Sequence, residues 1–151
     1  MRLADYLPVE QIAPHLEGKT KFEVIEELLD LIDQNGKLVD REIALQDVLA
    51  REGYLSTGLE NGLAIPHAKT DGVNELVISF GLKPEGVDFE SLDGKPAKLI
   101  FLVLSPRDTS GPHIQTLAII SRNLKNAEMR ESLLNANSAE QIYQIISDQF
   151  K

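Results

Sequence analysis

The residues with the clearest chemical potential lie in the heptapeptide Gly62–Ala68, which reads GLAIPHA. His67 directly follows Pro66, whose fixed φ limits how the backbone enters the histidine. The apolar residues before the proline predict the end of a strand, and strands end in loops where chemistry is often done. Because no metal-ligand pattern surrounds it, His67 is predicted to be a nucleophile or a proton-transfer group. The alternative is a hydrogen-bonded structural histidine, which is common in proteins.

A second histidine, His113, directly follows Pro112. Proline favours the first position of a helix, so this pair predicts that His113 lies in a first helical turn. The N-terminus of a helix attracts anions through its free N–H groups and its dipole. A histidine at that end adds one more donor, and His67 and His113 together would hold an anion such as a phosphate. Alternatively, His113 is an ordinary residue of a first turn.

Arg51 and the turn Ser56-Thr57-Gly58 supply further groups that suit a phosphoryl oxygen. Arginine binds such oxygens with paired N–H donors, and the two hydroxyl groups of the turn are donors as well. Each feature also has a simpler explanation. Arg51 would offset the dipole at the C-terminus of its helix, and the turn residues would hydrogen-bond within their own loop.

Other patterns in the chain favour no chemistry. His15 lies away from any glycine-rich strand end and is interpreted as structural. Gly18-Lys19-Thr20 repeats the end of a phosphate-binding P-loop, but Ala13 occupies the position of the required first glycine and no strand precedes it. The chain has no His-Glu-x-x-His motif, and its 3 scattered histidines are a weak argument for zinc. We therefore predict no metal and no cofactor.

The composition limits the classes of function. The chain has 151 residues, enough for one domain with a single core, and we take residues 1–151 as that domain. Its formal net charge of −9 disfavours nucleic acid as a partner, because phosphate backbones require a positive surface. It has no cysteine, no apolar stretch of about 20 residues that would cross a membrane, and no apolar signal sequence at its N-terminus. We expect a cytoplasmic protein that does not insert into a membrane.

Two helices are predicted in the first third of the chain. Thr20 and Glu23 form a capping box before apolar residues at helical spacing. A second helix is predicted from Asp40 to about Arg51, and Gly53 follows its end. The residues expected on the buried faces of these helices are Phe22, Ile25, Leu28, Leu29, Ile32, Ile43, Ala44 and Val48.

Helical patterns return after Pro106. Pro112 begins one predicted helix, Asn126 caps a short one that runs through Leu134, and a capping box at Ser138 begins the last. The residues expected on the inward faces are Ile114, Leu117, Ala118, Ser121 and Leu124 in the first of these helices, and Ile142, Ile145 and Ile146 in the last.

Glycine-rich turns divide the middle of the chain into predicted strands. These are Leu63–Ile65, Leu76–Leu82 and Leu99–Leu104, with Val87–Phe89 as a further short strand. The second and third are continuous runs of apolar, β-branched or aromatic residues, which are typical of strands buried on both faces. Helices, then strands, then helices predict an α/β fold in which helices cover both faces of one sheet.

Residues 51–67, which read REGYLSTGLENGLAIPH, closely resemble the active-site segment of type-2 enzyme IIA domains. These domains belong to the bacterial phosphoenolpyruvate:sugar phosphotransferase system, in its fructose–mannitol and nitrogen-regulatory branches. Ser105–Leu117, with its Pro-His-Ile-Gln-Thr-Leu, resembles the second histidine motif of this family. The resemblance extends from the Leu7-Pro8 region to the last helix and implies a mixed, five-stranded sheet between helices. Ala68 stands where the family often has glycine, and both residues are small.

The resemblance implies a role for each candidate residue. His67 would be the phospho-acceptor, and His113 the second active-site histidine. Arg51 would face the phosphate, and Thr57 would supply a hydroxyl group near it. His67 would receive a phosphoryl group from phospho-HPr, or from the HPr-like protein of the nitrogen branch. In sugar transport it would then pass the group to a cysteine or histidine of enzyme IIB.

Two functions remain open on the sequence alone: sugar uptake, and regulation through partners that sense the phosphorylation state. The chain ends at Lys151 without a fused enzyme IIB or a membrane segment, which favours the stand-alone, nitrogen-regulatory type. The alternative is a sugar-specific enzyme IIA of the fructose or mannitol type. A metal-dependent hydrolase that uses His67 and His113 is a third, less favoured possibility.

Overall fold

The computed structural model describes residues 1–151 and contains five α-helices around one five-stranded sheet. The helices are α1 Lys21–Gln34, α2 Arg41–Tyr54, α3 Gly111–Leu124, α4 Ala127–Leu134 and α5 Ala139–Gln149. The strands are β1 Ile12–Ala13, β2 Leu63–Ala64, β3 His67–Lys69, β4 Val77–Val87 and β5 Ala97–Ser105. The predicted α/β class, with helices flanking a sheet, is confirmed.

Strand β5 organises the sheet. β4 pairs antiparallel with one side of β5, whereas β2 and β3 both pair parallel with its other side. β1 extends the sheet by pairing parallel with β4, so the sheet is mixed. In this register His67 lies opposite Val103, and Lys69 lies opposite Ser105. The first residues of β3 are therefore close to the end of β5 from which the chain continues into α3.

Two apolar cores cover the two faces of the sheet. On one face α1 and α2 pack over residues such as Ile100 and Leu102. On the other face α3, α4 and α5 pack over residues such as Phe80 and Phe101. Because successive side chains of a strand point to opposite faces, Ala68 packs in the first core and His67 points toward α3. No helix has the length and apolar content needed to cross a membrane.

Side-chain caps fix where most of the helices begin. The predicted capping box is present: the Thr20 hydroxyl accepts from the Glu23 N–H, and the Glu23 carboxylate accepts from the Thr20 N–H. Asp40, Asn126 and Ser138 likewise accept backbone N–H groups at the starts of α2, α4 and α5. These helix starts follow from short-range hydrogen bonds that the sequence already indicates.

Helix α2 is longer than predicted, because Gly53 lies inside it and the helix continues to Tyr54. A glycine inside a helix costs only about 1 kcal/mol relative to alanine. The neighbouring Glu52 is buried and makes side-chain bonds that hold this turn in place.

Three apolar residues predicted to face the core are exposed instead. Phe22, Ile43 and Ile114 are 51%, 40% and 64% exposed, and each lies in the first turn of its helix. In α1 and α3 a polar residue takes the inward position of that turn, Lys21 in one case and His113 in the other, because each has buried partners.

The buried face of α3 is therefore rotated from the predicted one. His113, Thr116, Ile120 and Leu124 point inward, whereas Ala118 is exposed. A pattern of apolar residues cannot identify a helix face that is buried through hydrogen-bonded polar side chains.

The predicted strand Leu63–Ile65 forms, but it ends at Ala64, and a second strand follows the proline. Leu63–Ala64 pairs with β5 as β2, and His67 begins the separate strand β3 rather than a loop. Pro66 separates the two strands because it has no N–H to donate, although its carbonyl still accepts from the Val103 N–H.

The predicted short strand Val87–Phe89 does not form. Val87 is the last residue of β4, which reaches it through an irregular stretch after Leu82. β1 was not predicted, because two residues are too few to show a period.

Candidate functional site

His67 is half-buried, and a backbone carbonyl fixes the orientation of its ring. Its Nδ1 lies 2.7 Å from the carbonyl oxygen of Ile65. A carbonyl oxygen can only accept, so Nδ1 carries the hydrogen and the lone pair of the neutral ring is on Nε2. The surroundings therefore hold His67 in a tautomer in which Nε2 is the nucleophilic nitrogen.

The electrostatic surroundings of His67 favour the neutral ring. Burial lowers its pKa below the ordinary value of 6.5, and the positive charge of Arg51 lowers it further. The hydrogen bond to Ile65 and the negative charge of Glu52 act in the opposite direction but do not reverse the shift. At neutral pH the ring is therefore available as a nucleophile.

His113 packs beside His67, with 5.5 Å between the ring centroids and 59° between the ring planes. It lies in the first turn of α3, as predicted, and its Nδ1 is 2.5 Å from the hydroxyl oxygen of Ser105. Burial lowers the pKa of His113 to about 4, with smaller effects in the same direction from His67 and Lys69. Both imidazoles are therefore neutral at pH values near 7.

Lys69 adds a positive charge on the same face of β3 as His67. Its Nζ donates to the hydroxyl of Ser110 at 2.8 Å, across the start of α3. Ser110 is the N-cap residue of α3 but makes no side-chain capping bond there. Lys69 and the free N–H groups of α3 make this end of the site favourable for an anion. The sequence offered a signal for Lys69, because residues two apart on a strand share a face.

Arg51 and His67, two of the candidate site residues, line one pocket. Arg51 lies in the last turn of α2, and its Nη1 donates to the carbonyl of Leu55 at 2.7 Å. The pocket has a volume of about 270 Å³, and the residues that line it include Arg51, Leu55, Thr57, Leu59, Ile65, His67, Leu92 and Leu117. Five of the ten lining residues are apolar, and the other five, which include Arg51, Ser56, His67 and Ser121, supply polar groups.

We expected the Thr57 hydroxyl to lie near the phosphate, but it is hydrogen-bonded to Glu52. Its hydroxyl donates to the Glu52 carboxylate at 2.5 Å, and its N–H donates to the same carboxylate at 2.9 Å. A threonine hydroxyl has one hydrogen, so this bond uses its only donor. Thr57 is in addition buried, which fits a residue that positions the loop.

Glu52 and Lys21 are buried charged residues that the sequence analysis did not single out. Their side chains are 1% and 8% exposed, and Lys21 Nζ lies 3.3 Å from a Glu52 oxygen and 2.7 Å from an oxygen of Glu90. One signal was present in the sequence. A lysine in the first turn of a helix and a glutamate in the last turn both interact unfavourably with the helix dipole. Their presence there indicates that each has a specific partner.

A chain of hydrogen bonds connects this buried carboxylate to His67. Glu52 holds the backbone and side chain of Thr57, whose carbonyl accepts from the Ile65 N–H at 3.1 Å. The Ile65 carbonyl then accepts from Nδ1 of His67. The tautomer of His67 thus depends on a backbone segment that Glu52 fixes in place.

The remaining histidine, His15, lies outside the site. Its side chain is 60% exposed, and its Nε2 is 3.5 Å from the carboxylate of Glu85. It contacts neither of the other two imidazoles.

The low pKa of His113 leads us to expect acid sensitivity. In the unfolded chain the pKa returns to 6.5, so between about pH 6.5 and pH 4 the unfolded state binds more protons than the folded state. The free energy of unfolding should therefore decline as the pH falls through this window, and this group adds no pH dependence above it. We expect His113→Gln to reduce the decline between about pH 7 and about pH 4.5 by about 1–3 kcal/mol in urea unfolding. Equal declines in both proteins would contradict the low pKa.

Comparison with known proteins identifies the family of this chain. Residues 5–149 match the family model described as "Phosphoenolpyruvate-dependent sugar phosphotransferase system, EIIA 2". The fructose-specific EIIA component of Haloferax volcanii is 40% identical over 141 residues, which cover 93% of this chain and 92% of that protein. The fructose-specific EIIABC component of Bacillus subtilis is 39% identical over all 151 residues, but the chain spans 24% of that longer protein.

A solved structure extends the comparison to the fold. The nitrogen regulatory protein IIA-Ntr of Neisseria meningitidis superposes with a TM-score of 0.84 at 32% identity, over 95% of this chain and 98% of that one. The sequence resemblance, the family model and the shared fold agree over nearly the whole length. The chain therefore belongs to the type-2 enzyme IIA family of the phosphoenolpyruvate-dependent sugar phosphotransferase system and is a phosphocarrier.

Proposed function

We propose that this phosphocarrier accepts its phosphoryl group on Nε2 of His67 and passes it to a second protein. The observation that carries the proposal is the 2.7 Å contact between Nδ1 of His67 and the Ile65 carbonyl, which leaves Nε2 as the nucleophile. Arg51 lines the same pocket, and the ring of His113 lies beside that of His67. These neighbours provide the charge and donors that a phosphoryl dianion requires.

The transfer is an in-line displacement at phosphorus. The bond from Nε2 of His67 to phosphorus forms as the bond from phosphorus to the donor's nitrogen breaks, and that nitrogen leaves with the electron pair. The His67 ring keeps its Nδ1 hydrogen and gains positive charge, which the Ile65 carbonyl and the Glu52 carboxylate offset. Arg51 and the N-terminus of α3 stabilise the negative charge of the phosphoryl group. The protein thus contributes positioning and charge stabilisation, and the reverse sequence of steps releases the group.

The partner that we propose is another phosphocarrier protein, HPr or its nitrogen-branch counterpart, which must reach a half-buried histidine. Four large apolar side chains near the site are exposed to solvent: Tyr54, Leu55, Leu92 and Ile114. Leu55 and Leu92 line the pocket of His67, Tyr54 precedes Leu55, and Ile114 follows His113. Such a rim suits a shallow apolar contact with a protein. The cytoplasm remains the predicted place of this exchange.

The branch of the system stays a prediction. The nitrogen-regulatory type is our first candidate, and the similarity to the IIA-Ntr structure of Neisseria meningitidis supports it. The fructose-specific relatives share more of their sequence with this chain, which favours a sugar-type enzyme IIA that passes its phosphate to enzyme IIB as the second candidate.

Parallel phosphorylation assays with the two donor pairs distinguish the two branches. The purified protein is incubated with phosphoenolpyruvate and either the enzyme I and HPr of a sugar system or their nitrogen-branch counterparts, and acid-labile phosphate is followed over time. The regulatory assignment predicts labelling that is about tenfold faster or more with the nitrogen-branch pair. The sugar assignment predicts the reverse order and onward transfer to an enzyme IIB. Absence of label with both pairs would contradict the proposed function itself.

A further inference from the structure

Ser105 places a buried hydroxyl group against the second imidazole of the site. It is the last residue of β5 and has no exposed surface. Its hydroxyl oxygen is 2.5 Å from Nδ1 of His113, and this nitrogen is the only hydrogen-bond partner of the hydroxyl. The contact crosses the loop between β5 and α3, so it connects the C-terminal end of a central strand to the first turn of the helix.

The direction of this hydrogen bond follows from the burial of Ser105. If Nδ1 of His113 donated to the hydroxyl oxygen, the hydroxyl hydrogen would be buried without an acceptor, which is unfavourable. The hydroxyl therefore donates, and Nδ1 accepts with its lone pair. In the neutral ring the hydrogen is then on Nε2.

We propose that Ser105 is a positioning residue that holds His113 in the Nε2–H tautomer, so that His113 presents an N–H donor to the phosphoryl group on His67. This inference rests on the proposed function, because it concerns how the same site holds its phosphate. The Ser105 hydroxyl is hydrogen-bonded to His113 alone, so it acts through that residue.

The two imidazoles of the site then have opposite tautomers, and each tautomer is set by a different neighbour. A carbonyl oxygen next to Nδ1 of His67 leaves a lone pair on Nε2, which suits the nucleophile. A hydroxyl donor next to Nδ1 of His113 leaves a hydrogen on Nε2, which suits a partner of phosphoryl oxygens. With a carbonyl in place of Ser105, His113 would present a lone pair that repels those oxygens. The low pKa of His113 makes the distinction matter, because a protonated ring would donate from both nitrogens.

The tautomer can be measured without any phosphorylation. In ¹⁵N-edited NMR spectra of the unphosphorylated protein near neutral pH, we expect Nδ1 of His113 to resonate as an unprotonated, hydrogen-bonded nitrogen and Nε2 as a protonated one. Ser105→Ala should shift the ring toward the Nδ1–H form or to a mixture of both forms. A protonated Nδ1 in the wild type, or an unchanged tautomer in the variant, would overturn the assignment.

Transfer kinetics then test the consequence. Ser105→Ala should slow phosphorylation of His67 by about 3- to 10-fold, the effect of one hydrogen bond. Ser79→Ala is the matched control, because Ser79 is also a fully buried strand serine, and its hydroxyl donates to the Leu28 carbonyl away from both imidazoles. Equal rates for Ser105→Ala and wild type, or the same slowing in Ser79→Ala, would overturn the positioning role. If the wild type takes no phosphate at all, the proposed function fails, while the NMR result still decides the tautomer.

Discussion

Replacing His67 with glutamine should abolish phosphorylation of this protein by a phosphorylated HPr. The variant keeps a polar side chain of similar size but has no imidazole nitrogen to form a bond to phosphorus. His113 cannot replace it, because the Ser105 hydroxyl occupies its Nδ1, its Nε2 carries a hydrogen, and the ring is buried. Acid-labile label and phosphopeptide mapping provide the measurement.

Two further variants make this test specific. His113→Gln should retain the label on His67 but slow its appearance by about 10- to 100-fold, because one donor to the developing charge is lost. His15→Gln should change neither property, since His15 lies exposed and outside the site. Label that persists in His67→Gln and maps to His113 would reverse the roles of the two histidines.

Replacing Glu52 with alanine should have the largest effect on stability. The change removes two hydrogen bonds to Thr57 and leaves Lys21 buried with one partner, Glu90. Breaking a buried ion pair by removing one member is strongly destabilising, and we expect a loss of about 2–4 kcal/mol in the free energy of unfolding. Urea unfolding measures the loss.

The other partner of Lys21 provides the control. Glu90 is 70% exposed, so Glu90→Gln should cost less than about 1 kcal/mol. A double-mutant cycle with Lys21→Met should show coupling to Glu52, with the double variant less destabilised than the sum of the single ones. If Glu52→Ala and Glu90→Gln cost the same small amount, the buried carboxylate is not the support that we describe.

The isosteric variant Glu52→Gln separates shape from charge. Because the negative charge of Glu52 raises the pKa of His67, its removal should lower that pKa further, which an NMR titration of the His67 ring records. Transfer should slow as well, since the positive charge that the His67 ring gains during transfer loses an electrostatic partner. An unchanged titration would show that Glu52 acts through backbone geometry alone.

The sequence by itself determined the family and most helix starts, and it supplied Arg51, His67 and His113 as the candidate site residues. These inferences depended on local information. A capping box spans only four residues. A proline restricts the backbone at its own position, and a proline followed by histidine indicates a first helical turn without reference to distant residues. The α/β class also followed, because apolar strands between amphipathic helices have few other ways to bury their surfaces.

The tertiary structure decided how those residues can react. The tautomer of His67 depends on the Ile65 carbonyl, and that of His113 on a hydroxyl at the end of another element, β5. The buried faces of α1 and α3 were misassigned at Phe22 and Ile114, because hydrogen-bonded polar residues took the inward positions. The pair Lys21 and Glu52 joins two different helices. The contacts of the two histidines span fewer residues but depend on backbone geometry and burial, which a single sequence does not record. Protonation states follow from these contacts, so residue types alone suggested a histidine nucleophile but not which of its nitrogens carries the lone pair.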